Sequence, residues 1–584
     1  MTEIPAKGLS TQKHAVDFCV VGGGLAGMSA AIAAARHGVR VALMHDRPVP
    51  GGNASSEIRM WICGAHGKNN LETGIVEEIR LANRYRNSTM NWSVWDSILY
   101  EKVRFEPNIT LLLNCSCNAV EMDGARISAV KGWQLTTQAW QVVKARLFAD
   151  CSGDSILAPL TGAEIRWGRE ARDEFKEDIA PPVADRKTMG MSCLIQARET
   201  DHPQPFVPPA WAYRYVHDDA LPHRGHDVPG NNFWWIEVGG EQDAIHDTEQ
   251  LRDELLKIAF GVWDHIKNQG DHGAQNWELE WVGFLPGKRE SRRYVGDHIL
   301  TQNEVRAEGQ FDDVVAYGGW SMDDHHPAGF YHPGEPTTFH PAPSPFGIPY
   351  RALYSRNISN LWCAGRNISV THAAMSSTRV MATCATLGQA VGTAAAIATR
   401  EGLTPRGVYE QRIRELQQSL MDADCYLPGH RREVPGLTRS ARLNASAGDP
   451  EPLRSGWDRP VRDDEETSWT AAPGDWAAYT FDQPARLRQM RLVFDSDLNR
   501  QQLNMPCSYP LLQVVHVVPP TLVKGFHVDV LRKDGAWETV FTETCNIQRL
   551  RQIPLDVMAH ACRCVVDTTW GHDKVRLFAF DAND

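Results

Sequence analysis

The chain has 584 residues, of which 42% are hydrophobic and 23% charged, a composition that excludes a disordered or fibrous protein. Its formal net charge of −12 comes without a dense Lys/Arg block, which speaks against a nucleic-acid partner, and no run approaches the ~18 continuous apolar residues of a membrane span. The length calls for roughly two to four domains. Thirteen cysteines with no C-x-x-C spacing indicate reduced thiols rather than a redox pair or zinc knuckle. With no signal pattern before Ala15, the expected location is the cytoplasm.

The first predicted element is a buried strand, Ala15–Val21, nearly all apolar as a parallel strand covered on both faces must be. Gly22-Gly-Gly24-Leu-Ala-Gly27 follows at once and fits G-x-G-x-x-G. An Ala-rich helix over Met28–His37 stops at Gly38, and a second strand, Val39–Met44, leads to Asp46. Each piece answers a need of a bound dinucleotide. Gly22 permits the tight turn, Gly24 leaves the backbone open to a pyrophosphate, and Gly27 lets helix and strand pack closely. The helix N-terminus offers its free N–H groups to the phosphates. Asp46, 19 residues past Gly27, is placed to accept from ribose hydroxyls and argues against a 2′-phosphorylated nucleotide. The stretch Arg47-Pro-Val-Pro-Gly51-Gly52-Asn53-Ala-Ser55-Ser56-Glu57 favours FAD over NAD, because in flavoproteins a paired glycine after the acid-bearing strand lets the chain follow the diphosphate toward the isoalloxazine; a Gly-Gly turn with no ligand is the alternative.

Residues 165 to 350 are expected to hold the substrate region. Leu251, Leu255, Ile258, Ala259, Val262 and Ile266 have helical spacing within Thr248–Lys267, and Trp277–Phe284 alternates as a strand. Lys288-Arg289-Glu290-Ser291-Arg292-Arg293, followed by an expected strand Tyr294–Leu300, presents guanidinium forks; Arg289 and Arg292 suit a carboxylate, a flavin carbonyl or a substrate hydroxyl. A solvated charge run is the alternative. Gly319–Pro327 brings Asp323, Asp324, His325 and His326 together. Oxidation of an alcohol by hydride transfer needs a base near neutral pH, and histidine, with an unperturbed pKa of ~6.5, suits that role. A structural loop or a metal site are the alternatives; no H-x-x-x-H spacing supports a metal, and none is assigned. His372, in Ser369-Val-Thr-His-Ala, is a third imidazole candidate, with a core histidine as its alternative. Trp234, Trp235, Trp320, Phe330 and Tyr331 suit either an aromatic wall for a sugar ring or plain core packing.

Asn360–Arg366 reads as a short strand ending in Gly365, and Ser377–Ala396 as a helix of small residues. Its N-terminus, aimed at a flavin pyrimidine ring, would stabilise the negative charge that follows hydride arrival at N5. An ordinary core helix is the alternative.

Together the Gly22–Gly27 loop, the Arg47–Ser56 stretch, Ala149-Asp-Cys-Ser-Gly-Asp154, and Ala364-Gly-Arg366 with Gly388-Gln389 and Gly392 resemble the FAD-dependent oxidoreductase family, a relative of the fumarate reductase and succinate dehydrogenase flavoproteins. The resemblance runs over about residues 14 to 400. It implies FAD held by a Rossmann-type domain that a substrate domain interrupts. It implies FAD contacts at Gly22, Gly24, Gly27, Asp46, Gly52, Asn53, Asp150, Gly365 and Gln389, and Arg47, Ser55, Arg366 and Gly388 in the same motifs are taken with them. It also places an R-E-S-R-R stretch near the flavin. Arg366 stands where many relatives carry an acid for the ribityl hydroxyls.

Beyond a linker at Tyr426–Gly436, short alternating segments at Trp476–Phe481 and Gln489–Phe494 are followed by two expected hairpins. One joins Phe526–Leu531 to Trp537–Phe541 across an Asp-Gly turn; the other joins Val565–Thr569 to Lys574–Phe580 around Gly571. The pattern looks like a galactose-binding-type β-sandwich.

The expected fold class is therefore α/β: a Rossmann-type FAD-binding domain (14–165 and 351–425) interrupted by a mixed α+β substrate domain (166–350), plus a C-terminal antiparallel β-sandwich (437–584). The leading expectation is hydride transfer from a secondary alcohol of a sugar or polyol to flavin N5, with His325, His326 or His372 as base, Asp324 orienting it, and Arg289 and Arg292 holding substrate or flavin. Flavin redox-assisted glycoside cleavage, reduction of an activated alkene, and noncatalytic carbohydrate binding are the alternatives. The expected partners are a small-molecule carbohydrate and an electron acceptor that no motif identifies. No nucleic acid or membrane is expected, and self-association is left open.

Overall fold

The computed structural model describes residues 9–461, 465–501 and 505–584. They group into two compact units that interleave along the chain. The larger comprises Met1–Ala65, Thr89–Leu416 and Leu503–Val514; the second comprises His66–Ser88, Gln417–Gln502 and Val515–Asp584.

In the larger unit, four-residue apolar strands form a fully parallel sheet. These are β2 (Phe18–Val21), β3 (Val41–Met44), β4 (Ile109–Leu112), β8 (Leu147–Asp150) and the strand Leu361–Cys363, in spatial order Leu361–Cys363, β8, β2, β3, β4. β2, β3 and β8 are buried along their whole length, as their unbroken apolar sequence requires. The helix α1 (Leu25–Arg36) crosses from β2 to β3 and buries Leu25 through Ala35. The expected strand Ala15–Val21 is two strands. Ser10–Ala15 is β1, which pairs in parallel with β7 (Ala139–Lys144) in a second sheet completed by β5 (Cys115–Asp123) and β6 (Arg126–Gln134). Asp17 makes the break: its carboxylate turns outward to Arg40, 3.0 Å away, and the chain changes sheets there.

The expected helix Ser377–Ala396 is also two elements, His372–Thr378 and Met381–Glu401, separated where Val380 adopts an extended ψ of 144°. Met381–Glu401 is long and apolar enough to span a bilayer by composition, but 89% of its most apolar window is buried inside this unit. It lies hard against α1. A Cβ at Gly388 would fall 1.9 Å from the Ala26 carbonyl oxygen, and one at Gly392 would fall 2.2 Å from that of Ala30. Two glycines one helical turn apart thus let the two backbones touch.

The helix at Thr248–Asp264 forms as its periodicity predicts and continues as a π-turn, His265–Gln269. Trp277–Val282 pairs antiparallel with Ile195–Glu199. The expected strand Tyr294–Leu300 is instead Arg292–Tyr294, paired with Ile165–Trp167. The chain leaves that pairing at Gly296, where an added Cβ would meet the Arg351 carbonyl oxygen at 2.6 Å.

The second unit contains an antiparallel β-sandwich built on two long strands, Trp476–Phe494 and Leu550–Thr569. The two segments expected at Trp476–Phe481 and Gln489–Phe494 are the ends of that one 19-residue strand, which loses register between Thr480 and Ala485. The Asp-Gly hairpin forms between Val523–Leu531 and Trp537–Glu543, with Gly535 at φ +84°. The other expected hairpin does not form. Leu550–Thr569 and Val575–Asn583 each pair with Trp476–Phe494, so the turn at Gly571 carries the chain past that strand instead of back along itself. Trp469, Tyr479, Phe494, Phe526 and Phe580 fill the core. The helix Ile75–Arg86 belongs to this unit: the buried Glu77 accepts from Ser496 Oγ at 2.6 Å and pairs with Arg500. All thirteen cysteines are free thiols.

Candidate functional site

The parallel sheet reverses its winding between β2 and β8, and the carboxyl ends of these strands, where the glycine loop begins, are the usual ligand position in such sheets. The glycines there do what the motif demands. Gly22 has φ +103°, and a Cβ would sit 2.4 Å from the Cys151 carbonyl carbon; a Cβ on Gly27 would sit 1.8 Å from the Gly22 oxygen. Gly24 is open, its nearest neighbour being Gly52 Cα at 3.9 Å from a built Cβ. Gly24 and Gly51 form a parallel bridge, and Gly51 N donates to Gly23 O at 2.8 Å. The two glycine runs therefore lie side by side at the N-terminus of α1.

His45 is the residue that sequence reasoning passed over. Its Nδ1 accepts from Gly23 N at 3.0 Å and its Nε2 donates to Val49 O at 3.1 Å. Burial, aided by Arg47 and opposed by Asp46, lowers its pKa to about 4. It is a neutral clamp between the two glycine runs, and only its place next to Asp46 hinted at it. Asp46 itself is 63% exposed at the end of this loop.

The expected cofactor positions divide by what their side chains already do. Asn53 Nδ2 donates to Lys288 O at 3.1 Å, tying the second glycine run to the R-E-S-R-R stretch, and Ser55 Oγ braces its own loop through Gly52 O at 2.8 Å. Asp150 is committed to the protein rather than open to a cofactor. Its Oδ1 accepts from Ser152 N and Oγ, and its Oδ2 from Leu157 N and the Tyr294 hydroxyl. Gly388 faces α1, so its role is helix packing; Gln389 is buried beside it. Gly365 has φ +114° with no backbone atom crowding a built Cβ. Arg366 pairs with Asp154 at 2.7 Å, and Asp154 also takes Lys288 Nζ at 3.0 Å and Ser291 Oγ at 2.7 Å. Burial works against the charged form of Asp154, but Arg366 and Lys288 overcome it and hold the carboxyl far below its usual range.

Four buried polar atoms without hydrogen-bond partners belong to the segments that follow β3 and Leu361–Cys363: Arg47 Nη1, Glu57 Oε2, Arg366 Nε and Asn367 Oδ1. A folded protein rarely leaves such atoms unpaired. Their number beside an open glycine cradle is what an extended, polar dinucleotide would satisfy, and the residues fit FAD.

Next to the cradle lies a buried array of charges. His372 begins the helix His372–Thr378, which Thr371 caps; its Nδ1 is 2.9 Å from Glu290 Oε2 and its Nε2 is 3.1 Å from Asp324 Oδ1. Glu290 also accepts from Met189 N at 2.9 Å, and Arg293, 1% exposed, reaches Glu170 at 3.1 Å. On the strand Met322–His325, His325 Nδ1 is 2.6 Å from Glu237 and its Nε2 is 3.3 Å from Asp323, which pairs with Arg379 at 3.0 Å. Arg379 stands in the break before Met381–Glu401, whose Ala382 N donates to Cys63 O at 3.0 Å. Arg289 is enclosed by Ser192 Oγ, Trp234 O and Glu237, so it supports this array instead of facing substrate. Arg292 is half-buried with its guanidinium over Trp167. His326 is exposed, stacks on His332 at 3.7 Å and accepts from Ala328 N, outside the array. The R-E-S-R-R stretch is thus an ordered element rather than a solvated run. Glu237, Glu170 and Arg379 are functional candidates that sequence reasoning missed, since their partners lie up to 202 residues away; Glu290, Arg293 and Asp323 stood in the stretches it singled out, but without these roles.

The aromatic wall does not assemble as one surface. Trp235 and Phe330 stack at 6.3 Å within the core, Trp234 meets His325 edge-on at 5.1 Å, and Tyr331 is exposed.

Burial opposes a charge on His372, but Glu290 and Asp324 prevail and raise its pKa from 6.5 to about 10. A raised folded-state pKa contributes stability that is complete below 6.5 and disappears as pH rises through about 10. The urea midpoint should therefore fall across that interval, and His372→Gln should flatten the fall. An equally steep fall in the variant would show that another group is responsible.

The family model described as FAD dependent oxidoreductase matches residues 17–420. No curated protein matches the chain. Among solved structures, the family 32 carbohydrate-binding module from Streptococcus pneumoniae EndoD is similar at 14% identity, covering 26% of this chain and 98% of its own, with a TM-score of 0.20. Chitosan-binding module 1 of the chitosanase/glucanase from Paenibacillus sp. IK-5 is similar at 13% identity, covering 26% and 99%, with a TM-score of 0.18. A geranylgeranyl bacteriochlorophyll reductase-like protein from Thermoplasma acidophilum is similar at 12% identity, covering 71% and 85%, with a TM-score of 0.32.

Proposed function

The chain belongs to the FAD dependent oxidoreductase family, and from that premise we propose that it oxidises a secondary alcohol of a sugar or polyol. FAD, which the family implies, supplies the hydride acceptor when bound. The Gly22–Gly27 turn, Gly51–Asn53, Arg47 and Arg366 would hold it, with the α1 N-terminus toward its diphosphate.

The observation that carries the reading is the array Asp324–His372–Glu290. Glu290 and Asp324 raise the pKa of His372 to about 10, so it keeps its proton at neutral pH, and we give it the part of a cation in place of the base expected of it. His325 has both ring nitrogens on carboxylates, and His326 lies outside. Asp324 is the acceptor we assign instead. It is a carboxylate with 22% of its side chain exposed, and His372 fixes one of its oxygens. Burial works against its charge, but His372 and Arg169 hold it below the usual carboxylate range, so it takes a proton only as the hydroxyl becomes acidic with hydride departure. A substrate hydroxyl gives its proton to Asp324, and the His372 cation steadies the negative charge that builds on the substrate oxygen. The surrounding carboxylates and guanidiniums suit a molecule with several hydroxyls, since a hydrocarbon would leave them without solvation.

The protonated His372 also favours a second reading, reduction of an activated alkene, in which it would donate that proton. Anaerobic mixing with a panel of polyols, glycosides and unsaturated acids separates the two. Bleaching of the flavin absorbance by a polyol supports the proposal. Recovery of dithionite-bleached absorbance by an alkene alone supports the second reading, and glycoside cleavage without net bleaching would assign redox-assisted cleavage. A panel that leaves the oxidised spectrum untouched would overturn alcohol oxidation.

A further inference from the structure

Away from that array, four residues that sequence spacing does not connect converge on one point. Asp218, His226, His265 and His272 each offer one ligand atom, and these four atoms lie within 4.8 Å of one another. The imidazole rings pack with centroids 4.7 to 5.0 Å apart. Two of the rings are fixed from behind. His265 Nδ1 lies 2.9 Å from Tyr215 O, and His226 Nδ1 lies 2.7 Å from Arg224 O. A carbonyl accepts only, so each Nδ1 carries the hydrogen, and each Nε2 presents a lone pair to the centre of the cluster. This backing of ligand imidazoles by backbone carbonyls is the usual second layer of a metal site.

The consequence is visible at Asp218. Its Oδ1 lies 3.1 Å from His265 Nε2 and 3.7 Å from His272 Nε2, yet neither nitrogen makes a hydrogen bond, and the His265 side chain is fully buried. A carboxylate oxygen and a buried imidazole lone pair facing each other repel unless a cation stands between them. His265 also opens the π-turn His265–Gln269, an irregularity that often re-aims a side chain at a functional site.

We propose that Asp218, His226, His265 and His272 bind a zinc ion in a closed tetrahedral site of three imidazoles and one carboxylate. Zinc suits this mixed nitrogen and oxygen set, and four protein ligands leave no open position for substrate, so the ion is structural. Ligand atoms around zinc stand about 3.3–3.5 Å apart, as bond lengths near ~2.0–2.1 Å require, so binding draws the cluster slightly together. The ion would pin the long loop before Trp234 to the end of the helix Thr248–Asp264. From that loop Arg224 holds the carbonyls of Gly329, His332 and Gly334 at 2.8–3.1 Å, and Gly225 O accepts from Trp235 Nε1 at 2.8 Å. Trp234, two positions past Asn232, bears on His325. The site therefore secures the floor of the charged array without entering it.

Metal analysis of the full-length protein, purified without chelator and desalted, should find one zinc per chain. After extraction with dipicolinate, titration with Co²⁺ should give the intense visible bands of tetrahedral nitrogen and oxygen coordination at one equivalent. Asp218→Asn and His272→Ala, tested singly, should each weaken binding by more than the ~10–100-fold that losing an outer partner costs. Asp218 is exposed, so its variant should fold as the parent does, as circular dichroism would check. Substoichiometric metal in the folded parent, with a Co²⁺ spectrum no different from that of the hydrated ion, would overturn the proposal. A full equivalent of zinc retained by the double variant would also overturn it, since the ion would then sit elsewhere.

Discussion

Bleaching of the flavin by a saturating polyol slows by about 10²–10⁴-fold in the Asp324→Asn protein, which keeps its yellow colour. The amide preserves the size of the side chain and can still accept from His372 Nε2, so the helix His372–Thr378 stays anchored through Glu290. What it removes is the ability to take a proton. The loss should fall on the reductive rate at saturation, with half-saturation little changed, because hydroxyl binding needs only an acceptor. Raising the pH should restore part of the rate, as hydroxide and a more acidic alcohol take over from the missing base. If the variant reduces at the parent rate, Asp324 is not the base. If the colour is lost, the side chain supports the cofactor instead. His372→Gln makes the complementary test: its rate should fall too, and more steeply at neutral pH than near pH 10, where the parent's own cation is being lost.

The second large effect concerns packing. Gly388→Val should yield a colourless protein destabilised by about 3 kcal/mol, near the upper end for overpacked cores. The built Cβ stands 1.9 Å from the Ala26 carbonyl oxygen, a backbone atom that cannot rotate away. Relief requires Met381–Glu401 and α1 to separate, and α1 carries the turn that Gly22, Gly24 and Gly27 shape. Cofactor affinity and stability should therefore fall together. Gly407→Ala is the control, since its nearest neighbour is the flexible Thr404 hydroxyl at 3.3 Å. There the change should stay within ~1 kcal/mol, as expected of an unstrained helical glycine. A Gly388→Val protein that binds FAD and unfolds at the parent midpoint would show that the two helices are not held in this contact.

The comparison of sequence with structure divides along contact range. β2, the glycine turn, α1 and β3 were legible because each depends on neighbours within a few residues. The apolar face of Thr248–Asp264 and the Asp534-Gly535 hairpin were legible for the same reason. What escaped was decided at a distance. Alternation in Val565–Thr569 and Lys574–Phe580 marks two strands correctly but does not record that both choose Trp476–Phe494 over each other. The split at Val380 depends on Arg379 being drawn to Asp323, 56 positions earlier. In the site, the histidines and arginines were found by their density, but their duties were not. The proton on His372 depends on Glu290 and Asp324, 82 and 48 positions away. Asp150 looks like a cofactor contact by motif, and five protein donors reach its oxygens.

The helix Ile75–Arg86 has a consequence for biosynthesis. It leaves the ribosome early, yet the partners of Glu77, Ser496 and Arg500, are translated more than four hundred codons later. Until then an acidic side chain destined for burial has only Arg80 of its own helix as a counter-charge, and the nascent segment must wait in an unfinished state. A premature stop codon near residue 420 would leave it waiting for good, so a truncated gene aimed at the oxidoreductase portion alone would make a polypeptide whose Ile75–Arg86 segment is orphaned, a target for chaperones and proteases.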